Sequence, residues 1–333
     1  MKNSTDAFAQ NRRLGRGVNI VGYDTLWKSR DKARMQTRHF RLIQQAGFNH
    51  VRINLHPFQY MGDAPDYTIQ PTWLETLDWV IAQCQENDLL AILDMHEFSA
   101  MGKDPEGLKP KFLATWRQWA ARYRDYPDTV LFEVLNEPHG ALTPAAWNQF
   151  LVEPYDLIRQ SNPERTLIIG PACWNGIDYI EALELPTADR ALIVTVHYYH
   201  PMPFTHQGAS WSEYRDLSNV EWRGTPEEMQ RIAQDLGKVQ TWAEQQQRPI
   251  YLGEFGAYDK ADMASRARYT HALARHAEQL GWSWAYWQFD SDFVVYDIEE
   301  DSWVASLLEA LIPPAAKLQR PSIASQSKPT PAY

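Results

Sequence analysis

Two glutamates, Glu137 and Glu254, stand in short polar motifs that interrupt apolar stretches of the sequence. Glu137 is the centre of an Asn-Glu-Pro tripeptide, and Glu254 lies in a Gly-Glu-Phe-Gly segment. A pair of carboxyl groups can cleave an acetal, because one donates a proton to the departing oxygen while the other attacks the sugar carbon or activates water. The two residues can do this chemistry if the fold brings them together.

Further polar side chains stand at or near the ends of the other apolar stretches. Such side chains are rarely buried without a partner, so their recurrence at these positions indicates a site. Each one alone also has an ordinary structural interpretation, as an ion-pair partner, a hydrogen-bonded core histidine or part of a turn. The candidate catalytic residues are Arg52, His96, Asn136, Glu137, His197, Tyr199 and Glu254.

Acetal cleavage requires the two carboxyl groups to differ in protonation. Arg52 and Tyr199 can hold one of them ionised, because a nearby positive charge and hydrogen bonds favour the charged form. The other must keep its proton near neutral pH, through partial burial or like-charge repulsion. Glu133 and Glu137 are an even number of positions apart, so their side chains would point to the same side of an extended strand. We interpret Glu133 as a structural partner for a buried donor.

Eight short apolar runs alternate with segments of helical period, and these elements must position the candidate residues. Most runs alternate only mildly between apolar and polar residues, as is typical of strands covered on both faces. The predicted strands are 17–22, 50–55, 89–96, 130–136, 166–170, 192–199, 250–255 and 282–289. The predicted helices are 37–46, 72–87, 111–126, 145–161, 177–185, 227–247, 264–280 and 303–311. Eight repeats of strand and helix predict a single (β/α)8 TIM barrel, whose catalytic residues lie at the C-terminal ends of the strands.

A doubly wound sheet is the structural alternative to the barrel. It would need a glycine-rich phosphate loop near the first strand, and the segment 15–22 lacks the G-x-G-x-x-G pattern. The composition shows no break that would mark a second domain. We therefore assign residues 1–312 to the catalytic barrel, and we expect 313–333, rich in Pro and Ser, to be a poorly ordered C-terminal tail.

Charge and hydropathy exclude several classes of function. The 333 residues carry a formal net charge of −10 without a cluster of Lys and Arg, which argues against a nucleic-acid partner. No apolar run reaches the roughly 18 residues that a transmembrane helix needs, so we expect no membrane association. The polar N-terminus lacks the apolar core of a secretion signal, which leaves the localisation unknown. Cys84 and Cys173 are too few for a disulfide framework or a thiolate metal cage, and we expect them to be unbonded.

At these positions the chain resembles the family 5 glycoside hydrolases, the largely endo-β-glucanase and β-mannanase group of clan A. The specific motif is the segment 132–138 together with 253–256, within a match that covers 17–290. The residues that reinforce it, in the family's order, are Arg52, His96, His197, Tyr199 and Trp287. The resemblance implies a cellulase, a retaining endo-β-1,4-glucanase that uses no metal or other cofactor.

The resemblance also implies how the two carboxyl groups divide the work. Glu137 is similar to the family's general acid/base, and Glu254 to its nucleophile. Arg52 and Tyr199 then orient Glu254 and tune its charge. Attack by Glu254 on the sugar carbon would give net retention of configuration.

Sugar contacts follow from the same resemblance. Asn136 would hydrogen-bond the 2-hydroxyl of the sugar at the cleavage point, His96 and His197 would position that sugar, and Trp287 would stack beneath it. The long segment 202–226 is expected to build one wall of the cleft. With 14 Trp, 16 Tyr and 12 Phe, the chain has further rings that could stack on sugars. The candidates for such subsites are Trp27, Trp174, Trp211 and Trp222, together with Phe58 and Tyr60.

The residues leave several other functions open. Within the family these are β-mannanase, xyloglucanase and exo-β-glucosidase, because the loops that read the sugar cannot be placed. A metal-dependent barrel hydrolase is a second class, suggested by ten histidines and the pair His197 and His200. A non-catalytic sugar-binding barrel is a third, although the presence of both glutamates argues against it. We expect a monomer whose partner is a β-linked oligo- or polysaccharide.

Overall fold

The computed structural model describes residues 6–314, in which eight parallel strands close into a barrel. The strands are β1 (Arg16–Ile20), β2 (His50–Leu55), β3 (Leu90–Met95), β4 (Val130–Glu133), β5 (Leu167–Ile169), β6 (Leu192–His197), β7 (Ile250–Glu254) and β8 (Ser283–Tyr286). Each strand pairs with the next along the chain, and β1 closes the ring by pairing with β8. The predicted TIM barrel is confirmed; seven of the predicted runs contain a strand of it, and the first overlaps β1, which begins one residue earlier at Arg16.

One helix precedes the first strand, and the others follow the strands, with the long ones covering the outside of the barrel. They are α1 (Ala7–Leu14), α2 (Thr37–Ala46), α3 (Pro71–Glu86), α4 (Phe98–Lys103), α5 (Pro105–Arg122), α6 (Pro144–Ser161), α7 (Ala172–Asn175), α8 (Met202–Thr205), α9 (Pro226–Gln246), α10 (Met263–Gln279) and α11 (Ala305–Leu311). The short 3-10 turns are Thr25–Trp27, Arg30–Lys32, Phe58–Tyr60 and Ile177–Ala182. A two-stranded antiparallel pair, β9 (Tyr296–Asp297) and β10 (Ser302–Trp303), follows the barrel.

The long outer helices begin and end where their capping residues predict. Thr225 caps α9 by accepting from the Glu228 N–H, while the Glu228 side chain returns to the Thr225 N–H, and Pro226 occupies the first turn. Helix α2 ends at Gly47, whose φ of +118° is readily adopted by glycine and by few other residues. Local sequence therefore fixes most of the helix boundaries.

Several helical segments differ from the prediction. Helix α5 begins at Pro105, capped by Asp104, and not at 111, because it continues through Pro110, which lies inside the helix without an N–H to donate. The predicted helix 177–185 is a 3-10 turn that ends at 182, and α11 begins two residues later than predicted. Helices α1, α4, α7 and α8 were not predicted, and the last three have only four to six residues, too few for a periodic pattern.

Helix α1 closes the barrel at the N-terminal ends of the strands. Its Ala7 and Leu14 join a buried cluster with Leu90, Ile92 and other inward strand residues. Asn11 donates to the Ile250 carbonyl at 3.0 Å, which ties the helix to β7. This end of the barrel is filled, so any cleft must lie at the opposite end.

Helix α3 shows how the outer layer packs. Leu77, Val80, Ile81 and Cys84 are fully buried on one stripe, as their spacing predicts. Cys173 lies instead after β5, and both thiols are free, which confirms the expected lack of a disulfide.

The described residues end shortly after the last helix. Helix α11 ends at Leu311, directly before the expected end of the barrel at 312. Residues 315–333, nearly all of the expected tail, lie outside the described residues. Among residues 6–314, none of the helices has the length and apolar character that crossing a bilayer requires.

Candidate active site

Parallel pairing places the candidate residues in register at the C-terminal ends of the strands. Arg52 in β2 lies level with Asn19 in β1, and Asp94 in β3 lies level with Glu133 in β4. His197 at the end of β6 is the register partner of Glu254 at the end of β7. The strands therefore aim polar side chains from different parts of the sequence into one space.

Arg52 is the centre of this arrangement and is fully buried. Its Nε and Nη2 donate to the two carboxylate oxygens of Glu133 at 2.7 and 2.8 Å, as a fork that fixes the guanidinium. Nη1 donates to Glu254 at 2.7 Å, and Nη2 also donates to Asn136 at 2.7 Å and lies 3.1 Å from Asp94. Glu133 is thus the partner of a buried donor, as interpreted from the sequence.

Glu254 is held by two donors. Its Oε1 accepts from Arg52, and its Oε2 accepts from the Tyr199 hydroxyl at 3.0 Å. Burial raises the pKa of Glu254 to about 7, with His197 lowering it, Glu137 raising it and Arg52 lowering it. The two hydrogen bonds favour the ionised form against the cost of burial.

Glu137 follows β4 with a φ of +45°, an uncommon conformation for a residue with a side chain. Its Oε1 lies 2.7 Å from Nδ1 of His197, which in turn lies 3.6 Å from Oε2 of Glu254. Burial raises the pKa of Glu137 to about 8; Arg52 lowers it, and Asp94 and Glu133 raise it. Glu137 therefore keeps its proton to higher pH than Glu254.

Gly253, directly before Glu254, leaves the space that the His197 ring occupies. A Cβ at Gly253 would lie 2.5 Å from the Thr195 hydroxyl and 3.0 Å from Nε2 of His197, too close for any other residue without a shift. Asn175 Nδ2 lies 3.3 Å from the same Nε2. His197 is thereby positioned between the two glutamates.

His96 and Trp287 form the opposite wall of the site. Nδ1 of His96 lies 2.6 Å from a carboxylate oxygen of Asp94, which also accepts from Asn54 at 3.0 Å. The His96 and Trp287 rings are nearly parallel, with centroids 5.6 Å apart and planes 8° apart. All eight residues expected from the resemblance therefore meet at one end of the barrel.

Two of the candidate stacking tryptophans are exposed. Trp174 is 50% exposed, and its ring lies against His139 with centroids 3.6 Å apart. Trp211 is 56% exposed and meets the edge of Tyr258 at 5.0 Å. Both rings offer a free surface to a ligand.

Trp27 and Trp222 are corrected, because the protein buries both rings itself. Trp27 is 8% exposed, donates its Nε1–H to the Val21 carbonyl at 2.7 Å and stacks on Trp73. Trp222 is 2% exposed and packs against Tyr269 of α10. The rings of Phe58 and Tyr60 also pack inward: Phe58 is 8% exposed, and Tyr60 stacks on Trp73. None of these four is kept as a candidate sugar contact.

Asn136 was predicted, but two other neutral amides of the site, Asn19 and Asn175, were not. Asn19 accepts from both Arg52 and Asn54 and donates to the Gly253 carbonyl, so it joins β1, β2 and β7. Asn175 supports His197. For Asn19 the sequence signal was a polar residue inside an apolar run, which is weak for an uncharged side chain, and Asn175 lies outside the predicted runs.

Three donor atoms of the site could approach a metal ion. Atoms of Glu137, His197 and Glu254 all lie within 4.8 Å of one another. Arg52 already donates to Glu254, and its positive charge opposes a cation there. His200 does not join this group, because its ring packs against Tyr198, whose hydroxyl donates to a helix carboxylate. The geometry favours carboxylate chemistry over a metal centre.

Comparison with known proteins agrees with this geometry. The profile of the cellulase family, glycosyl hydrolase family 5, matches residues 12–292. Endoglucanase H of Acetivibrio thermocellus is 27% identical over 325 residues; the match covers 93% of this chain but only 34% of that protein. Endoglucanase C of the same species is 26% identical, with 84% of this chain and 93% of that protein covered.

Solved structures are similar over almost the whole barrel. Cel5A of Thermotoga maritima, crystallised with mannotriose, is 40% identical, with a TM-score of 0.88, and the match covers 92% of this chain and all of that one. Its complex with cellobiose has the same identity and TM-score. The chain therefore belongs to the cellulase family of glycosyl hydrolases, glycosyl hydrolase family 5.

Proposed function

We propose that the protein is a retaining endo-β-1,4-glucanase in which Glu137 is the acid/base and Glu254 the nucleophile. The observation that carries this is the close approach of the two carboxyl groups, each of which has one oxygen within 4.8 Å of an oxygen of the other. Retaining enzymes hold these groups about 5 to 5.5 Å apart, whereas inverting enzymes need about 6.5 to 9.5 Å to admit a water. The spacing supports direct attack by a carboxylate.

The reaction has two balanced steps. Ionised Glu254 attacks the anomeric carbon while the Glu137 carboxyl gives its proton to the glycosidic oxygen, so one chain fragment leaves and a glycosyl ester remains. Glu137, now ionised, then takes a proton from water, whose oxygen attacks the same carbon and releases Glu254. Arg52 and Tyr199 hold Glu254 through both steps.

Sugar recognition is proposed for the residues around the two glutamates. Trp287 offers a ring face beside His96, and Asn136 is fixed by its bond from Arg52. His197 contacts both glutamates and can order the sugar between them. The exposed rings of Trp174 and Trp211 are proposed as outer subsites.

The proposed pair predicts a bell-shaped pH dependence of kcat/KM. The acidic limb reports ionisation of Glu254 and the alkaline limb deprotonation of Glu137, with apparent values that belong to the coupled pair. Arg52→Met removes the charge that favours ionised Glu254, so the acidic limb should move to higher pH by about one unit. The shift of the acidic limb is measured from kcat/KM on cellohexaose across a range of pH.

The controls separate charge from general damage. Arg52→Lys keeps a charge but loses the fork to Glu133, so the limb should move less. Arg122→Met, which removes an ion pair with Asp78 on the outer helices, should leave both limbs in place. An acidic limb that stays fixed in a folded Arg52→Met variant would show that Arg52 does not tune Glu254.

Outer subsites predict a selective loss of binding. Trp174→Ala and Trp211→Ala should each raise KM for cellohexaose about 5- to 10-fold, which corresponds to about 1 kcal/mol of ring contact, and leave kcat nearly unchanged. Phe8→Ala is the matched control, because Phe8 is 41% exposed on α1 at the closed end of the barrel. If the KM of one tryptophan variant does not change, that tryptophan does not form a sugar subsite.

The proposed function is tested by a hydrolysis panel. Carboxymethylcellulose, lichenan, xyloglucan and glucomannan are compared, product lengths distinguish endo from exo action, and proton NMR identifies the first-formed anomer. β-Mannanase activity is the second candidate, because the similar Cel5A was crystallised with mannotriose as well as cellobiose. A β-anomer from β-glucan supports the proposal, and an α-anomer contradicts the retaining mechanism.

The same panel distinguishes the other classes. Loss of activity in a strong chelator that added metal restores would favour a metal-dependent hydrolase. Binding of cellohexaose without new reducing ends would favour a sugar-binding barrel.

A further inference from the structure

Arg52 contacts two carboxylates that take no part in the proposed reaction. Asp94, Glu133 and Glu254 all lie within 3.1 Å of its guanidinium, and the side chains of Asp94 and Glu133 are fully buried. The reaction needs only Glu254 from this group. Burying additional carboxylates costs desolvation free energy, which their pairing with Arg52 has to offset. Their presence therefore calls for a role in the folded protein.

The position of Arg52 creates a conflict between the two reacting groups. Its charge assists Glu254, which must be ionised, but it also favours ionisation of Glu137, which must keep a proton. Charges interact strongly over several ångströms where little water intervenes. A single buried guanidinium therefore cannot favour one glutamate without acting on the other.

We propose that Asp94 and Glu133 are positioning residues that fix the Arg52 guanidinium on Glu254 and oppose its charge, so that Glu137 remains the acid. This inference rests on the proposed function and adds two residues to its machinery. Neither residue is proposed to touch the sugar.

The hydrogen bonds support the fixing role. Glu133 occupies Nε and Nη2 of Arg52, which leaves Nη1 for Asn19 and Glu254. Asp94 is itself fixed by Asn54, so its charge stays beside Nη2. The guanidinium is therefore held on Glu254 and cannot turn toward Glu137 without breaking this fork.

The surrounding charges support the opposing role. Asp94 and Glu133 both raise the pKa of Glu137, against the lowering by Arg52. Other titratable groups around the two glutamates come from β6, β7, β3 and the loop after β4. They are His197, Tyr199, Glu254, His96 and His139.

The test is the alkaline limb of kcat/KM on cellohexaose, a substrate whose poor leaving group needs the acid. Glu133→Gln and Asp94→Asn should each move this limb to lower pH by about one unit, because losing a negative neighbour makes Glu137 release its proton more easily. Glu133→Asp keeps the charge and should return the limb toward the wild-type position. Asp235→Asn is the matched control, since Asp235 is a buried carboxylate of α9 bound to Tyr198.

A double variant keeps the test decisive if a single substitution prevents folding. Arg52→Met with Glu133→Gln removes a buried pair together, which proteins often tolerate. Its alkaline limb should lie within a few tenths of a unit of wild type, because both opposing charges are gone.

The outcomes are distinguishable. Folded single variants whose alkaline limb stays fixed or moves up, or a double variant whose limb falls as far as in Glu133→Gln, would overturn the inference while leaving the proposed function intact. A wild-type protein that hydrolyses none of the β-glycans would overturn the proposed function itself.

Discussion

Glu254→Gly should lower kcat for cello-oligosaccharides by at least about ten-thousand-fold, because it removes the proposed nucleophile, and loss of such a group costs rates of this order. Azide can enter the vacated space beside Arg52 and Tyr199 and attack the sugar carbon directly. One displacement in place of two inverts the configuration, so the product should be an α-glycosyl azide. Proton NMR of the product formed from a dinitrophenyl β-cellobioside identifies its anomeric configuration.

Glu254→Gln provides the matched control. The glutamine fills the same space and can still accept from Arg52, so activity should be lost without rescue by azide. A β-configured azide product from Glu254→Gly, or activity within tenfold of wild type, would show that another group is the nucleophile.

The barrel could be predicted because its signals are local and repeated. Each strand run is apolar on both faces, and helices are bounded by Thr225-Pro226, Gly47 and similar caps. Helix α1 escaped prediction because its polar residues, such as Gln10 and Asn11, are buried by contacts with distant strands. Those contacts exist only once the barrel has closed.

The grouping of the charged candidate residues could be predicted for a related reason. Charged groups such as Arg52 and Glu254 are conspicuous inside apolar runs, and the barrel fold fixes which end of each strand they occupy. Asn19 and Asn54 carry no charge and looked like ordinary strand residues, although both are buried in the same network. Their roles depend on register between strands, which no single run reveals.

Exposure of aromatic rings could not be predicted from the sequence. Trp174 and Trp222 both lie between a barrel strand and the next long outer helix, but one is 50% exposed and the other 2%. The difference arises from tertiary structure, since Trp222 is covered by Tyr269 of α10 and Trp174 stands on His139 at the rim. Composition indicates an excess of rings without indicating which ones remain free.

Glu137→Ala should affect substrates according to their leaving group. On cellohexaose kcat/KM should fall by about a thousandfold, because a sugar oxygen leaves poorly without a proton and general acids contribute roughly 10²- to 10⁴-fold. On dinitrophenyl β-cellobioside the first step should be nearly unchanged, since dinitrophenolate needs no proton. The second step lacks its base, so the glycosyl ester on Glu254 should accumulate, and rapid mixing should show a burst of dinitrophenolate followed by slow turnover.

Adding azide tests this prediction by the configuration of the product as well as by the rate. It needs no base, so it should speed turnover of the ester, and two displacements in sequence should give a β-glycosyl azide, opposite to the product of Glu254→Gly. The alkaline limb should also disappear in Glu137→Ala, because the group whose pKa lies at about 8 is gone. If the dinitrophenyl substrate instead slows as much as cellohexaose, Glu137 does not act by proton transfer, and its bond to His197 would serve to hold the site together.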